Sequence, residues 1–590
     1  MAFQDFDYIS ERRKNEKKEK VKKHIIVGIV AVVVVLLLIG AVAWAVLYMN
    51  HKNKNHNEDK DKEQAAPSAD KAIQMLCAST DYKQTCLDSL TKYVSSNPTK
   101  PKQPKELLQA SISVIATDLQ NVYNKISKIK FDTPELKGAF EDCKVLFEDA
   151  KEELNASIAN VHKQTITKLP SSTPNLNNWL SAVLSYQETC IDGFPEGKTK
   201  TDLQSALKSV KHLTSNSLAI VNQLNALGSI NLGAGRHLLD TDQNPETPMS
   251  HLDDEGLPEW MSTEERRVLR SKDVKQTPNV TVAKDGSGQF NTISDALAAI
   301  PDEYQGRYVI YVKEGIYEEY PIVTKKMVNV TIYGDGSQKS IVTGNKNFVD
   351  GVRTFQTATF TVLGEGFMGQ SIGFRNTAGA EKHQAVAIRV QADRSVFLNC
   401  RMEAYQDTLY AQTHRQFYRG CVISGTVDFI FGDAASIFQN CVIYIRKPLE
   451  NQQNIVTAQG RIDKHESTGI VLQGCRILAE KGFEDEKMKY KNYLGRPWKE
   501  YSRTIIMQSE IDSLIDPEGW MPWEGDFALK TLYYAEYGNK GPGATTTARV
   551  KWAGYKGIIT KDIAQKYTAG PFLQGNTWLG PETKVRFGLV

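Results

Sequence analysis

Three cysteines, Cys400, Cys421 and Cys441, stand 21 and 20 residues apart, each in or beside a short β-branched run: RSVFLNC, QFYRGCVI and QNCVIYI. Strand-length runs that recur at a near-constant interval, with the same residue at the same place, mark a solenoid in which each coil stacks on the one before. The pattern extends over NVTV, YVIYV, NVTIYG, ATFTVLG, NIVTAQG, TGIVLQGCRI and RTIIMQSEI, with Gly, Asn and Asp between the runs. The dipeptide Asn-Cys occurs at both 399–400 and 440–441, which favours stacked coils over a β-sandwich. Residues 271–590 are therefore expected to form an all-β module, a parallel β-helix. By the same period Cys421 and Cys441 are neighbours and are expected to form a disulfide, with Cys400 and Cys475 left as buried thiols.

The preceding half follows a different rule. Over 69–227 apolar residues recur at spacings of three and four, as in Leu136, Phe140, Cys143 and Phe147, with short Pro-containing breaks. This spacing predicts an all-α module, an antiparallel helical bundle. Its cysteines Cys77, Cys86, Cys143 and Cys190 allow three pairings, and spacing does not choose among them. Residues 228–270 read as a linker dense in Asp, Glu, Gly, Pro and Arg. It carries Arg236-His-Leu-Leu and the dibasic Arg266-Arg267-Val268-Leu269, and cleavage is expected near Arg267.

At the amino end, residues 11–24 hold eight Lys or Arg against three Glu, and the 24 residues from Ile25 to Tyr48 have no charged side chain. That length crosses about 30 Å of hydrocarbon and exceeds the apolar core of about 7 to 15 residues in a cleavable signal. The expectation is one transmembrane signal anchor over 25–48, a cytosolic basic tail over 1–24 and a polar tether over 49–68. This is a type II orientation, with the remainder lumenal or extracellular. In that setting disulfides persist, and Asn155, Asn279 and Asn329 head usable glycosylation sequons. Over the whole chain 72 Lys plus Arg meet 69 Asp plus Glu, a balance that gives no warrant for a nucleic-acid partner.

Polar groups stand where a solenoid does not need them: Gln384 in HQAVAIR, Gln406 and Asp407 in AYQDTLY, Asp428 in GTVDFIF, and Arg496 and Trp498 in LGRPW. Asp407 and Asp428 are 21 residues apart, the interval from Cys400 to Cys421, so one coil separates them and about 5 Å lies between their backbones. Two carboxyls that close titrate apart, one held protonated as an acid while the other stays charged. An arginine fork suits holding the charged one, and glutamine amides suit a developing oxyanion. The set fits attack on a carbonyl. No histidine pattern suggesting a catalytic base or zinc site accompanies it, and neither a metal nor a cofactor is expected. Paired carboxylates also serve glycoside hydrolysis, and lone Asp residues commonly sit in solvated turns, so the chemistry by itself does not name the bond.

These motifs, with GIYEE at 315, QAVAIR, YQDTLY, GTVDFIFG and LGRPWKEYSRT at 494, resemble the plant pectin methylesterases. The helical half resembles the pectin methylesterase inhibitor domain that precedes many of them. The resemblance implies a right-handed parallel β-helix that binds homogalacturonan and hydrolyses its C6 methyl esters, and a four-helix inhibitor-like bundle closed by Cys77–Cys86 and Cys143–Cys190. It assigns attack to Asp428, acid and then base to Asp407, the oxyanion to Gln384 and Gln406, orientation of Asp428 to Arg496, and sugar contact to Gln384, Arg496, Trp498 and Trp523. It further implies passage to the cell wall as a membrane-anchored precursor, removal of the bundle by a processing protease at Arg266-Arg267, damping of activity until then, and a monomeric mature enzyme. Weighed beside it are a polygalacturonase or pectate lyase on the same scaffold, and a pectin-binding or inhibitor protein without activity.

Overall fold

The structure is a computed structural model, which describes residues 69–97, 103–224 and 277–589. The expected tail, membrane anchor and tether (1–68), Arg236, and the processing residues Arg266 and Arg267 lie outside the described residues. Among the described residues no helix is long and apolar enough to cross a membrane.

Six helices open the described chain: α1 (Ala69–Cys77), α2 (Lys83–Ser96), α3 (Pro104–Ile126), α4 (Pro134–Lys163), α5 (Thr173–Asp192) and α6 (Lys198–Val221). The four long ones, α3 to α6, pack on one another as a bundle. Local sequence starts α4: the Thr133 side chain accepts a hydrogen bond from the Leu136 amide, and Pro134 occupies the first turn, where its missing N–H costs nothing. Its buried face, including Phe140, Cys143, Phe147 and Leu154, follows the spacing seen in the sequence. Disulfides join Cys77 to Cys86 and Cys143 to Cys190. Helix α5 departs from amphipathicity, since nearly every residue from Leu176 to Gln187 is buried. It lies between the other helices and the second module, with no face left for water.

That second module is a β-helix. Its strands form three sheets of eleven, seven and eight, paired throughout in parallel; seven coils contribute to all three, and the turns at either end extend only one or two of them. The central coils keep the expected interval, Leu409 pairing with Ile430 and Val422 with Val442, whereas earlier ones are longer, Phe360 pairing with Ile388 and Thr331 with Met368. Later ones lengthen, Ile430 pairing with Thr457 and Thr457 with Gly495. Inside, Phe397, Tyr418 and Phe438 stack ring on ring at 4.9 and 4.5 Å. Asn399, Gly420, Asn440 and Gly474 all have positive φ, a left-handed turn that Gly and Asn accept most readily. The cysteine after each therefore enters the core at the same place.

This stacking overturns the expected Cys421–Cys441 disulfide. Both are buried free thiols, as are Cys400 and Cys475. The Cys421 and Cys441 sulfurs bond to the carbonyls of Phe397 and Tyr418, at 3.4 and 3.6 Å. Side chains stacked in register point the same way, about 4.8 Å apart, whereas a disulfide needs Cβ atoms about 3.5–4.5 Å apart and facing each other.

Candidate active site

The seven-stranded sheet carries the polar cluster. Its strands Ile388–Val390, Leu409–Ala411 and Ile430–Gly432 are in-register neighbours, and the residues just before them are Gln384, Gln406 with Asp407, and Asp428. Asp407 and Asp428 thus occupy equivalent corners of consecutive coils, tied by a hydrogen bond from the Asp407 amide to the Val427 carbonyl (3.0 Å). Both corners are left-handed, with φ of 64° and 52°. Aspartate tolerates that conformation better than most residues, and such strain clusters at functional sites.

The two carboxyls differ in their partners. Arg496, following the strand Asn492–Gly495, grips Asp428 through both arms of its fork: Nε donates to Oδ1 at 2.8 Å and Nη2 to Oδ2 at 2.6 Å. The Arg496 guanidinium also lies over the Trp523 ring, 4.3 Å from its centre, so the arginine is fixed on a face as well as an edge. Asp407 has no such partner, although it is only 8% exposed against 6% for Asp428. Burial, and then the charge of Asp428, push the Asp407 carboxyl well above the usual carboxylate range, with Arg496 opposing more weakly. Burial also raises Asp428, but there Arg496 opposes it by charge and by hydrogen bond. Both carboxyls are raised, Asp407 the further, so a shared proton favours Asp407 and the charge favours Asp428 beside Arg496.

Gln384 and Gln406 are half-buried and flank the pair on adjacent coils, linked by the bond from the Ala385 amide to the Gln406 carbonyl (3.2 Å). Trp498 is half-buried, with its ring edge-on to Phe431 and Tyr410 at 5.9 and 6.5 Å. Asn155, Asn279 and Asn329 are exposed and lie away from this cluster in the chain. No group of three or more metal-ligating side chains occurs among the described residues.

The bundle sits on this sheet. Phe355, Val386, Tyr410, Phe431 and Ala458 of the β-helix share one apolar cluster with the bundle core. The Ser185 hydroxyl donates to the Gln412 carbonyl at 3.3 Å, and the Thr189 and Tyr410 hydroxyls meet at 3.3 Å. Around this contact bundle carboxylates meet β-helix cations: Glu188 and Asp192 hold Lys499 at 3.2 and 2.9 Å, Asp142 holds Arg353, and Asp149 and Glu152 hold Lys325 at 2.6 Å each. Sequence reading missed Lys499, although it follows Trp498 directly, because its partners lie some three hundred residues earlier. It also passed over Arg389, whose signal was present: a charge inside the apolar run AVAIRV.

Fold and cluster together define a parallel β-helix protein with a buried acid–carboxylate centre suited to acyl transfer. The pectinesterase model matches residues 279–576, and the plant invertase/pectin methylesterase inhibitor model matches residues 71–220. The probable pectinesterase/pectinesterase inhibitor 13 of Arabidopsis thaliana is 50% identical over the whole of both chains, and pectinesterase 3 of Phaseolus vulgaris is 40% identical, covering 99% of this chain and 98% of its own. A solved pectin methylesterase from carrot is 50% identical at a TM-score of 0.52, covering 54% of this chain and 99% of its own. The chain belongs to the pectinesterase family and carries an inhibitor-type amino-terminal domain. Almost the whole of the solved carrot chain is matched by about half of this one, so a β-helix of this kind is found as a structure without a bundle.

Proposed function

We propose that this protein is a pectinesterase that hydrolyses the C6 methyl esters of homogalacturonan through an aspartyl acyl-enzyme. The ionised Asp428 attacks the ester carbonyl, and the amides of Gln384 and Gln406 donate hydrogen bonds to the oxyanion that forms. The carboxyl proton of Asp407 passes to the methoxy oxygen as the C–O bond breaks, and methanol leaves. Asp407, now a carboxylate, takes a proton from the water that attacks the acyl carbon. Asp428 is released as carboxylate, the galacturonate acid is formed, and Asp407 is protonated again. Trp498 offers an apolar face to a sugar ring, and Trp523 acts on the sugar and on Arg496 together.

The observation that carries this reading is the contrast within the pair: Asp428 gripped by Arg496, Asp407 buried without a cation of its own. The test is methanol release from methylated pectin by residues 271–590, with polymer length followed in parallel. Asp428→Asn is expected to abolish release while the circular dichroism stays native. Wild-type turnover in that variant, or chain shortening in place of methanol, refutes the assignment.

The cover that the bundle forms over the cleft sheet supports a second part of the proposal, that the amino-terminal domain restrains the enzyme until it is removed. The dibasic Arg266-Arg267 is the proposed cut, and residues 25–48 are the proposed anchor of a type II precursor on its way to the cell wall. Mass spectrometry of the mature amino terminus, with activity measured before and after cleavage, decides both. Equal activity of full and cleaved chains sinks the restraint.

A further inference from the structure

The cleft sheet buries a second charge that ester hydrolysis does not use. Arg389 lies in the strand Ile388–Val390, whose flanking residues enter the β-helix core, so its own side chain faces the bundle side. It pairs in register with Tyr410, and Tyr410 with Phe431. At about 4.8 Å per rung, it stands one coil from Asp407 and two from Asp428. The side chain is 6% exposed and lies over Phe355, 3.9 Å from the ring centre. Nη1 donates to the side-chain oxygens of Gln391 and Gln412, both at 3.0 Å, while Nε finds no acceptor. Among the described residues no carboxylate pairs with it. Burial lowers its pKa to about 10, which still leaves it charged. A buried guanidinium with no carboxylate in direct contact is costly, and although Asp149 and Asp142 act on it through space, it points to an anion that belongs there.

The bundle shows what kind. Asp149 Oδ2 accepts from Gln391 Nε2 at 2.6 Å, and the oxygen of that same amide takes the Arg389 hydrogen bond. Asp142 accepts from Arg353 Nε and Nη2 at 2.5 and 3.1 Å and from Gln356 Nε2 at 2.8 Å, on the segment that carries Phe355. The two aspartates are seven residues apart on α4 and so share one face. Two bundle carboxylates thus engage a patch of arginines and amides beside the catalytic pair.

We propose that Arg353, Gln356, Arg389 and Gln391 form a subsite for free carboxylates of galacturonate, reading de-esterified sugars next to the ester being cleaved, and that Asp142 and Asp149 of the bundle occupy this subsite in the uncleaved chain. The inference rests on the pectinesterase reading. A methyl ester brings no charge to the patch, whereas a carboxylate makes charge-assisted bonds to it, so the subsite separates the two forms of the polymer.

The test uses residues 271–590 as the parent and as Arg389→Gln, Arg353→Gln and Arg389→Lys, each checked for native circular dichroism. Two quantities are read: the ratio of kcat/KM on partly de-esterified to fully methylated pectin, and calorimetric affinity for trigalacturonate. The parent is expected to favour the de-esterified polymer and to bind the trimer. Each Gln variant is expected to lose about tenfold in both quantities, and Arg389→Lys to recover part of the loss. An active parent whose ratio and trimer affinity are unchanged in folded Gln variants overturns the subsite and leaves the esterase standing. A parent that binds the trimer through these arginines yet releases no methanol refutes the esterase reading instead. If Arg389→Gln does not fold, Arg353→Gln and Arg389→Lys carry the decision, and parent-like values in both count against the proposal.

Discussion

Removing the Arg496 fork is the sharpest perturbation of the active site. In Arg496→Ala, Asp428 loses two charge-assisted hydrogen bonds, at 2.8 and 2.6 Å, at a position 6% exposed. Breaking one side of a buried ion pair costs about 3–5 kcal/mol, because the remaining charge is left uncompensated. The chain avoids that cost by protonating Asp428, since burial already raises its pKa. At 1.36 kcal/mol per decade this penalty is roughly two to four decades in the ionised fraction, and so in the population of competent nucleophile. Arg496→Lys keeps a charge and one hydrogen bond but loses the fork and the planar contact with Trp523. Its loss is one charge-assisted bond, about 1.5–3 kcal/mol, or roughly one to two decades. The assay is methanol release against pH. The acidic limb of kcat/KM is expected to move alkaline in Arg496→Ala, less so in Arg496→Lys, with activity partly recovered at high pH. A uniformly lower rate with the limb unmoved would show that Arg496 does not hold the Asp428 charge, and the division of the pair would be wrong.

Asp407→Asn is expected to abolish turnover and yet to stabilise the fold near neutral pH. The folded Asp407 pKa is raised, so between the ordinary carboxylate pKa and that raised value the native state binds more protons than the unfolded one, and stability falls as pH rises; the Asn variant should lack this fall, and thermal unfolding at pH 4 and pH 8 reads the difference. In the full chain, Lys499→Ala removes the contacts with Glu188 and Asp192 and is expected to raise the activity of the uncleaved protein about tenfold, an interaction of 1.4 kcal/mol; unchanged activity there counts against restraint by this contact. Denatured, unreduced protein is expected to titrate four thiols from its eight cysteines, one from each of Cys400, Cys421, Cys441 and Cys475; two thiols would reinstate the Cys421–Cys441 bridge. Loss of Cys143–Cys190, which closes a separation of 47 residues, should cost the bundle about 4 kcal/mol by loop entropy, read as a lowered urea midpoint.

Most of the fold was legible from periodicity. The twenty-residue interval forecast the stacked coils because each full coil must supply one strand to each of three sheets, and the left-handed corner before each cysteine repeats with it. The interval failed as a guide to disulfides, since it reports adjacency along the helix axis and not the direction in which Cβ points. The helical face of α4 was also legible, but the all-round burial of α5 follows from a second module pressing on it, which no local pattern records. At the site, Asp407 and Asp428 stood out as charges set at solenoid spacing beside apolar residues, and Arg496 as a guanidinium in LGRPW suited to hold one of them. Arg389 sent the same kind of signal in AVAIRV and lacked only a partner at a recognisable interval.

The sequence by itself determined the two modules, the corners that carry the carboxyl pair and the set of side chains available for acyl chemistry, because these depend on spacings of three, four and about twenty residues along one chain. Only the tertiary structure decided which carboxyl Arg496 holds, that the cysteine ladder stays reduced, and that α4 and α5 lay their carboxylates on the cleft cations. Those outcomes depend on distances between residues as far apart as Asp142 and Arg353, or Glu188 and Lys499. Charge and hydrogen bonding act through space over a few ångströms, and the chain order does not state which groups will be brought within that reach.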